Sequence, residues 1–174
     1  MSQKITKQRK TRKLPKSVRP EEWEKLVEVI KKDKVALVGF LLAYGSGMRV
    51  SEVVKCKKED FQSDGSILIT DSKYGVDRKV PIPKGWREEF FKILPIKKTI
   101  RTLERKFKVY SKKAYLNPLY TFHSLRHGFA TRLLESGTPI SQVQLALGHS
   151  DISTTGIYIK ASPQDLLKSY QENF

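Results

Sequence analysis

The apolar segment VALVGFLLAYG, residues 35 to 45, most constrains what this chain can fold into. It is too short to cross a bilayer as a helix, which takes about 20 apolar residues. A helix that is apolar on every side is buried inside a protein. The segment therefore predicts a buried helix, in a chain whose 174 residues suffice for one domain with a hydrophobic core.

Apolar spacing and helix-breaking residues predict that helices dominate the rest of the chain. A first helix is expected to begin near Pro20, with core contacts at helical spacing from Trp23, Leu26, Val27 and Ile30. Further helices are expected at 85–94, 97–113, 123–136, 139–147, 152–158 and 163–173. Pro139 suits a helix start, and Gly137 and Gly148 suit helix ends.

One pair of short segments predicts strands instead. ILIT (67–70) and KVPIP (79–83) are rich in β-branched residues and flank DSKYGVDR, which is typical of a β-hairpin with Lys73 and Gly75 near its turn. Gly45 and Gly47 are expected to form a tight turn, with Arg49 at the start of the following helix. The predicted fold class is mainly α with a small antiparallel β-hairpin, an α+β domain.

The charge of the chain indicates a polyanionic partner. Lysine and arginine number 34 against 18 acidic residues, a formal charge of +16, which favours nucleic acid over a merely solvated basic surface or acidic lipids. Residues 1–16 are expected to be a basic, disordered tail or linker, and 17–174 the folded domain. No apolar region follows the basic N-terminus, so a signal peptide is not expected.

Cysteine usage narrows the class of protein further. Cys56 is alone, which excludes a disulfide framework and a cysteine-rich zinc site. A lone cysteine favours a reducing, cytoplasmic compartment, and we expect association with DNA there rather than with a membrane.

Six polar residues stand out from the helical pattern. Singly, each has an ordinary explanation: an arginine can cap a surface helix, a hairpin lysine is usually solvated, and a tyrosine at helical spacing usually packs in a core. His127, next to one of them, is expected to be structural. The six are Arg49, Lys73, His123, Arg126, His149 and Tyr158.

Together these side chains make up a metal-free phosphoryl-transfer site. Two guanidinium groups can hold the non-bridging oxygens of a phosphate and stabilise its transition state. A tyrosine hydroxyl can attack phosphorus, a histidine can take its proton, and a lysine can protonate the departing sugar oxygen. The set contains no carboxylate or cysteine cluster suited to a metal, so no metal or other cofactor is expected.

The motifs GMRVSEV, HSLRHGFAT and LGHSDISTTGIY, with the hairpin lysine between the first two, resemble the tyrosine recombinase family. The likeness is to Xer-type recombinases and phage-type integrases, and it covers roughly residues 18 to 174. It implies the fold of a tyrosine recombinase catalytic domain, and an enzyme that cleaves and rejoins DNA strands without metal or ATP.

The resemblance also implies a role for each position. Arg49 and Arg126 match the arginines that clamp the phosphate, and Glu52 matches an acidic residue that orients them. Tyr158 matches the nucleophile, which forms a 3′-phosphotyrosyl link to DNA, and Lys73 matches the general acid. By the same likeness, His123 accepts the proton of the nucleophile and His149 donates a hydrogen bond to a phosphate oxygen.

Two other functions share these features. A catalytically decayed DNA-binding regulator of recombination would keep the charge and the fold, and a type IB topoisomerase would use the same chemistry without partner protomers. Filled catalytic positions favour an active recombinase acting on double-stranded DNA. Members of that family usually carry an N-terminal helical domain that clamps the duplex, whereas a basic tail precedes the catalytic region in this sequence. The chain is therefore expected to be either a catalytic fragment of a longer protein or a naturally short member of the family. The helix predicted at 163–173 either packs on its own domain or docks on a second protomer.

Overall fold

The structure is a computed structural model, and it describes residues 16–70 and 77–148. Within these ranges the chain is mostly helical, with one small antiparallel sheet, as the sequence predicted. The basic tail before Lys16, the hairpin turn and the helices predicted at 152–158 and 163–173 lie outside the described residues. No helix within the described ranges is long and apolar enough to cross a membrane.

Six α-helices and two strands are described in these ranges. Two short 3-10 helices, Lys58–Asp60 and Glu88–Ile93, lie between them. The α-helices are α1 (Pro20–Ile30), α2 (Lys34–Ser46), α3 (Val50–Lys55), α4 (Ile100–Lys113), α5 (His123–Glu135) and α6 (Ile140–Leu147), and the strands are β1 (Ser66–Ile69) and β2 (Arg78–Pro81).

Helix α2 contains the apolar segment and is the centre of the core. The Asp33 side chain caps its N-terminus by accepting the Ala36 backbone N–H at 3.1 Å. Every residue from Val38 to Ser46 is buried, because α1, α3, α4 and α5 all contact this helix. The predicted buried helix is confirmed.

Helix α1 packs on this core through the residues that the helical spacing selected. Leu26 and Ile30 are fully buried, and the Trp23 ring stacks on Tyr44 with ring centroids 4.3 Å apart. Val27 is only half-buried. The predicted start of the helix at Pro20 is confirmed.

The hairpin forms as predicted. Strand β1 pairs with β2 antiparallel, with Ile67 opposite Val80 and Ile69 opposite Arg78. Both isoleucines and Val80 are buried, so this face of the sheet lies against the helical core.

Two local expectations need correction. The helix expected at 85–94 is a shorter 3-10 helix, Glu88–Ile93; Pro83 and Pro95 bound the segment, and its Trp86 ring packs on Phe90 and on Phe61. Gly45 is also not part of the turn: it remains in α2, where an added Cβ would lie 2.3 Å from the Cβ of Pro83. Close packing, not the turn, requires a small residue there.

Candidate active site

The turn from α2 to α3 fixes Arg49. Gly47 ends α2 with φ +67°, and an added Cβ would lie 2.4 Å from Cδ1 of Phe129, so glycine fits on both counts. Arg49 then stands at the N-cap of α3, as predicted, and Glu52 Oε2 accepts its backbone N–H at 2.7 Å. One helix start therefore presents a guanidinium and a carboxylate together.

Arg126 reaches the same place from α5. The residue is 3% exposed, and its Nη1 donates to the carbonyl oxygen of Gly47 at 2.7 Å. Its Nη2 donates to the carbonyl oxygen of Leu147. Hydrogen bonds to two carbonyl groups explain how a guanidinium can be buried here, since an unpaired one would be very costly.

The carboxylate of Glu52 is the meeting point of three arginines. Oε1 accepts Nη1 of Arg49 at 2.9 Å, and Oε2 accepts Nη2 of Arg78 at 2.8 Å. Nη1 of Arg126 lies 3.9 Å from Oε2. Counted over the described part of the chain, three guanidiniums and one carboxylate give this cluster a net charge of two positive units.

The same arginines bind the C-terminal end of α6. The carbonyl oxygens of residues 146–148 accept hydrogen bonds from Arg78, Arg126 and Arg49 in that order. The last carbonyls of a helix have no partner within the helix and carry its negative dipole end. The cluster therefore caps α6 immediately before residue 149.

The electrostatics keep the cluster charged at neutral pH. Burial acts to raise the pKa of Glu52, but the hydrogen bond and charge of Arg78 and the hydrogen bonds from Arg49 outweigh it, and the pKa lies below its usual value. Burial, then the charges of Arg49 and Arg78, lower the pKa of Arg126 to about 9. Both groups are ionised at pH 7.

The two histidines of α5 lie side by side. The rings of His123 and His127 meet edge to face, with centroids 4.6 Å apart. His123 is exposed at the first turn, whereas His127 is half-buried. Burial, and then the charge of Arg126, lower the pKa of His127, so its neutral form is favoured.

The structure brings Arg49, Glu52 and Arg126 together and leaves His123 on the exposed start of the helix that carries Arg126. The other three predicted site residues lie outside the described residues. They are Lys73, His149 and Tyr158.

The sequence-based reasoning missed Arg78. Its position in the hairpin could have identified it. Arg78 lies two residues before Val80 in the same strand, so both side chains are on one face of the sheet, and Val80 is fully buried. An arginine on the buried face of a strand needs a partner, and Glu52 provides it.

Within 16–70 and 77–148, no group of three or more His, Cys, Asp or Glu side chains is arranged to hold a metal ion. The chemistry available to these residues is that of guanidinium, carboxylate and imidazole groups. Such a donor-rich cluster is suited to binding an oxyanion.

Comparison with known proteins gives this arrangement a context. The tyrosine recombinase XerA of Pyrococcus furiosus is 36% identical over 178 residues, covering 91% of this chain and 62% of that protein. The crystal structure of XerA recombinase matches with a TM-score of 0.66 at 25% identity, covering 96% of this chain and 66% of that one. XerH site-specific recombinase bound to difH substrate in a pre-cleavage complex matches with a TM-score of 0.67 at 26% identity, covering 96% and 56%.

The chain thus spans less than two thirds of the length of the Pyrococcus relative. The sequence profile of the phage integrase family matches residues 16–165, most of the chain. These findings confirm the resemblance and the fold class drawn from the motifs. The chain belongs to the phage integrase family and has the fold of a tyrosine recombinase catalytic domain.

Proposed function

We propose that this chain is the catalytic part of a site-specific DNA recombinase, which cleaves and rejoins strands through a 3′-phosphotyrosyl intermediate without metal or ATP. The observation that carries the proposal is the meeting of Arg49 and Arg126 at Glu52, in a cluster with excess positive charge. A largely dry site with fixed positive charge stabilises an anion strongly. A phosphodiester supplies that charge, and its oxygens accept paired hydrogen bonds from guanidinium.

Arg49 and Arg126 would contact the phosphate in different ways, because their side chains differ in exposure. The Arg49 side chain is 28% exposed and the Arg126 side chain 4%, so Arg49 offers the more open contact to a non-bridging oxygen. Arg126 would contact the phosphate through one edge of its guanidinium while its carbonyl contacts hold it still. Glu52 would orient both, and His149 would donate a further hydrogen bond to the phosphate.

The reaction would exchange one phosphate ester for another. The phenolic oxygen of Tyr158 attacks phosphorus, the bond from phosphorus to the 5′-oxygen breaks, and a 3′-phosphotyrosyl ester forms. His123 accepts the phenolic proton, and Lys73 donates a proton to the leaving 5′-oxygen. Attack by a 5′-hydroxyl then reverses the step and rejoins the strand.

The substrate would be double-stranded DNA. The charge of +16 and the likeness to a recombinase bound to difH substrate support this partner. We also propose that residues 17–174 form the catalytic domain, that residues 1–16 lie along the phosphate backbone, and that 163–173 docks on a second copy when protomers assemble on DNA.

A trapping experiment tests the function. The substrate is a pool of nicked duplexes with randomised sequence. When the protein cleaves next to the nick, a short fragment with the 5′-hydroxyl diffuses away, so the strand cannot be rejoined and a covalent complex accumulates. The expected result is a protein–DNA adduct that survives denaturing electrophoresis and contains Tyr158 in its linked peptide. Tyr158→Phe, which removes only the phenolic oxygen, should bind DNA and form no adduct.

The alternatives give different results. A decayed regulator would bind DNA with no adduct from the unmodified protein. A topoisomerase would relax supercoiled plasmid at low protein concentration, without pairing two sites. An adduct formed at the normal level by Tyr158→Phe would contradict the assignment of the nucleophile.

A further inference from the structure

Arg78 joins the hairpin to both halves of the arginine cluster. It lies in β2, opposite Ile69, and its side chain is 2% exposed. Nη2 donates to Glu52 Oε2 and Nε donates to the carbonyl oxygen of Ala146, each at 2.8 Å. A single planar guanidinium thus links a strand to the first turn of α3 and the last turn of α6.

Each contact bears on a proposed catalytic group. Glu52 Oε2, which Arg78 binds, also accepts the backbone N–H of Arg49 and lies 3.9 Å from Nη1 of Arg126. When Arg78 holds this oxygen in place, it also holds the N-terminus of α3 and the distance between Arg49 and Arg126. Arg78 influences both arginines through Glu52, because that carboxylate lies next to both of them.

The contact with α6 controls the backbone that leads to His149. Gly148 has φ +59°, and an added Cβ would lie 3.0 Å from both Cδ and Nη1 of Arg78. The arginine therefore fills the space beside this glycine, and its bond to Ala146 holds the preceding turn. A shift of Arg78 would therefore move the last turn of α6 and Gly148.

Stability alone does not account for such a residue. Replacing a buried ion pair with apolar side chains of similar volume is often neutral or stabilising. A planar fork that meets two acceptors in different elements instead fixes their relative geometry.

We propose that Arg78 is a positioning residue, which aligns Arg49 and Arg126 through Glu52 and sets the end of α6 before His149. This inference rests on the proposed DNA cleavage. Arg78 itself does not contact the substrate in this proposal, so its loss should slow the chemical step more than it weakens DNA binding.

The test compares Arg78→Met and Arg78→Lys with Lys79→Met, a change in the next residue of the same strand. Lys79 pairs with Asp64 at 2.7 Å on the exposed side of the hairpin, which makes it a matched control. Single-turnover cleavage is measured on saturating DNA that the unmodified protein cleaves. A misplaced site should cost on the order of 100-fold in rate for Arg78→Met, since small displacements of reacting groups have effects of that size.

Arg78→Lys separates charge from geometry. An ammonium restores the positive charge but does not reproduce the planar fork, so cleavage should remain well below that of the Lys79→Met control. Full rescue by lysine, or normal cleavage by Arg78→Met, would overturn the inference. Failure of both variants to fold would also overturn it, because Arg78 would then be a stability residue.

A double-mutant cycle tests the route through Glu52. Glu52→Gln combined with Arg78→Met should lose less activity than the sum of the two single losses, because the contact between Arg78 and Glu52 is weakened or removed by both changes. Fully additive losses would show that the contact with Glu52 carries none of the effect of Arg78 and would overturn the inference.

A signal that is independent of cleavage separates this inference from the proposed function. The side-chain Nε–Hε resonances of Arg49 and Arg126, in protein labelled with ¹⁵N-arginine, should shift in Arg78→Met and stay in place in Lys79→Met. If the unmodified protein forms no adduct, the proposed function fails, and these resonances still test Arg78. Unchanged resonances would overturn its positioning role with or without cleavage.

Discussion

Nη2 of Arg49 lies 2.9 Å from the carbonyl oxygen of Gly148 and donates a hydrogen bond to it. The contact joins the N-terminal cap of α3 to the C-terminal cap of α6, two ends that are far apart in the sequence. Arg126 makes the corresponding contact with Leu147 from a buried position. The C-terminal end of α6 is thus bound by a partly exposed arginine, Arg49, and by a buried one, Arg126.

This difference predicts that lysine substitutions separate stability from chemistry. In Arg126→Lys one ammonium replaces two bonded nitrogens and leaves a buried carbonyl unsatisfied, so the free energy of unfolding should fall by about 1–3 kcal/mol. Arg49→Lys affects a partly exposed pair and should cost less than about 1 kcal/mol. Urea unfolding measures both values.

Cleavage should respond differently from stability. Both lysine variants should slow cleavage of a nicked duplex on the order of 100-fold or more, because each loses a planar donor from the phosphate clamp. An Arg49→Lys protein that cleaves at the normal rate would show that Arg49 only caps helices.

Gly47→Ala and Gly85→Ala should lower the free energy of unfolding by different amounts. In Gly47→Ala the left-handed backbone costs about 1–2 kcal/mol, and the clash with Phe129 adds an overpacking cost of about 1–3 kcal/mol. Gly85 has φ +85° but nothing within 4 Å of an added Cβ, so Gly85→Ala should show only the first cost. Equal losses of unfolding free energy in the two variants would contradict the packing argument.

The helical part of the fold was predictable because its signals are local. The apolar run of α2, Pro20 at the start of α1 and the left-handed glycines at 137 and 148 each act on their own segment. The type and length of the helix at 85–94 were not predictable in this way, because the rings of Trp86 and Phe91 pack on Phe61, which is distant in the sequence.

The candidate site was predictable only as far as its motifs reached. Arg49, Glu52 and Arg126 come from motifs, and their meeting is seen in the structure. Arg78 escaped because its importance lies in contacts with α3 and α6, which no local pattern encodes. An arginine on the buried face of a predicted strand is the signal to look for.

Lys73 gives a prediction about leaving-group chemistry. If Lys73 protonates the 5′-oxygen, Lys73→Ala should cleave ordinary DNA slowly and should cleave a 5′-bridging phosphorothiolate much faster, because sulfur leaves with little proton assistance. Lys79→Met serves as the control for a lost hairpin charge. Equal defects of Lys73→Ala on both substrates, in single-turnover assays, would restrict Lys73 to positioning DNA.

The last prediction concerns the pH dependence of stability. His127 has a folded-state pKa below the value of about 6.5 expected in the unfolded chain, owing to burial and to the charge of Arg126. As the pH falls below 6.5, His127 therefore binds a proton in the unfolded chain but stays neutral in the folded protein. The free energy of unfolding should be highest above pH 6.5 and fall as the pH drops toward the folded-state pKa.

His127→Asn should remove this decrease in the free energy of unfolding at low pH. Urea unfolding between pH 7 and pH 5 measures it. Glu52 and Asp33 also have lowered pKa values, but both carboxylates are present in the variant and in the unmodified protein, so their contribution cancels in the comparison. His123→Asn, which changes the exposed ring beside His127, is the matched control and should leave most of the pH dependence in place. If His127→Asn has the pH dependence of the unmodified protein, the buried histidine is not its source.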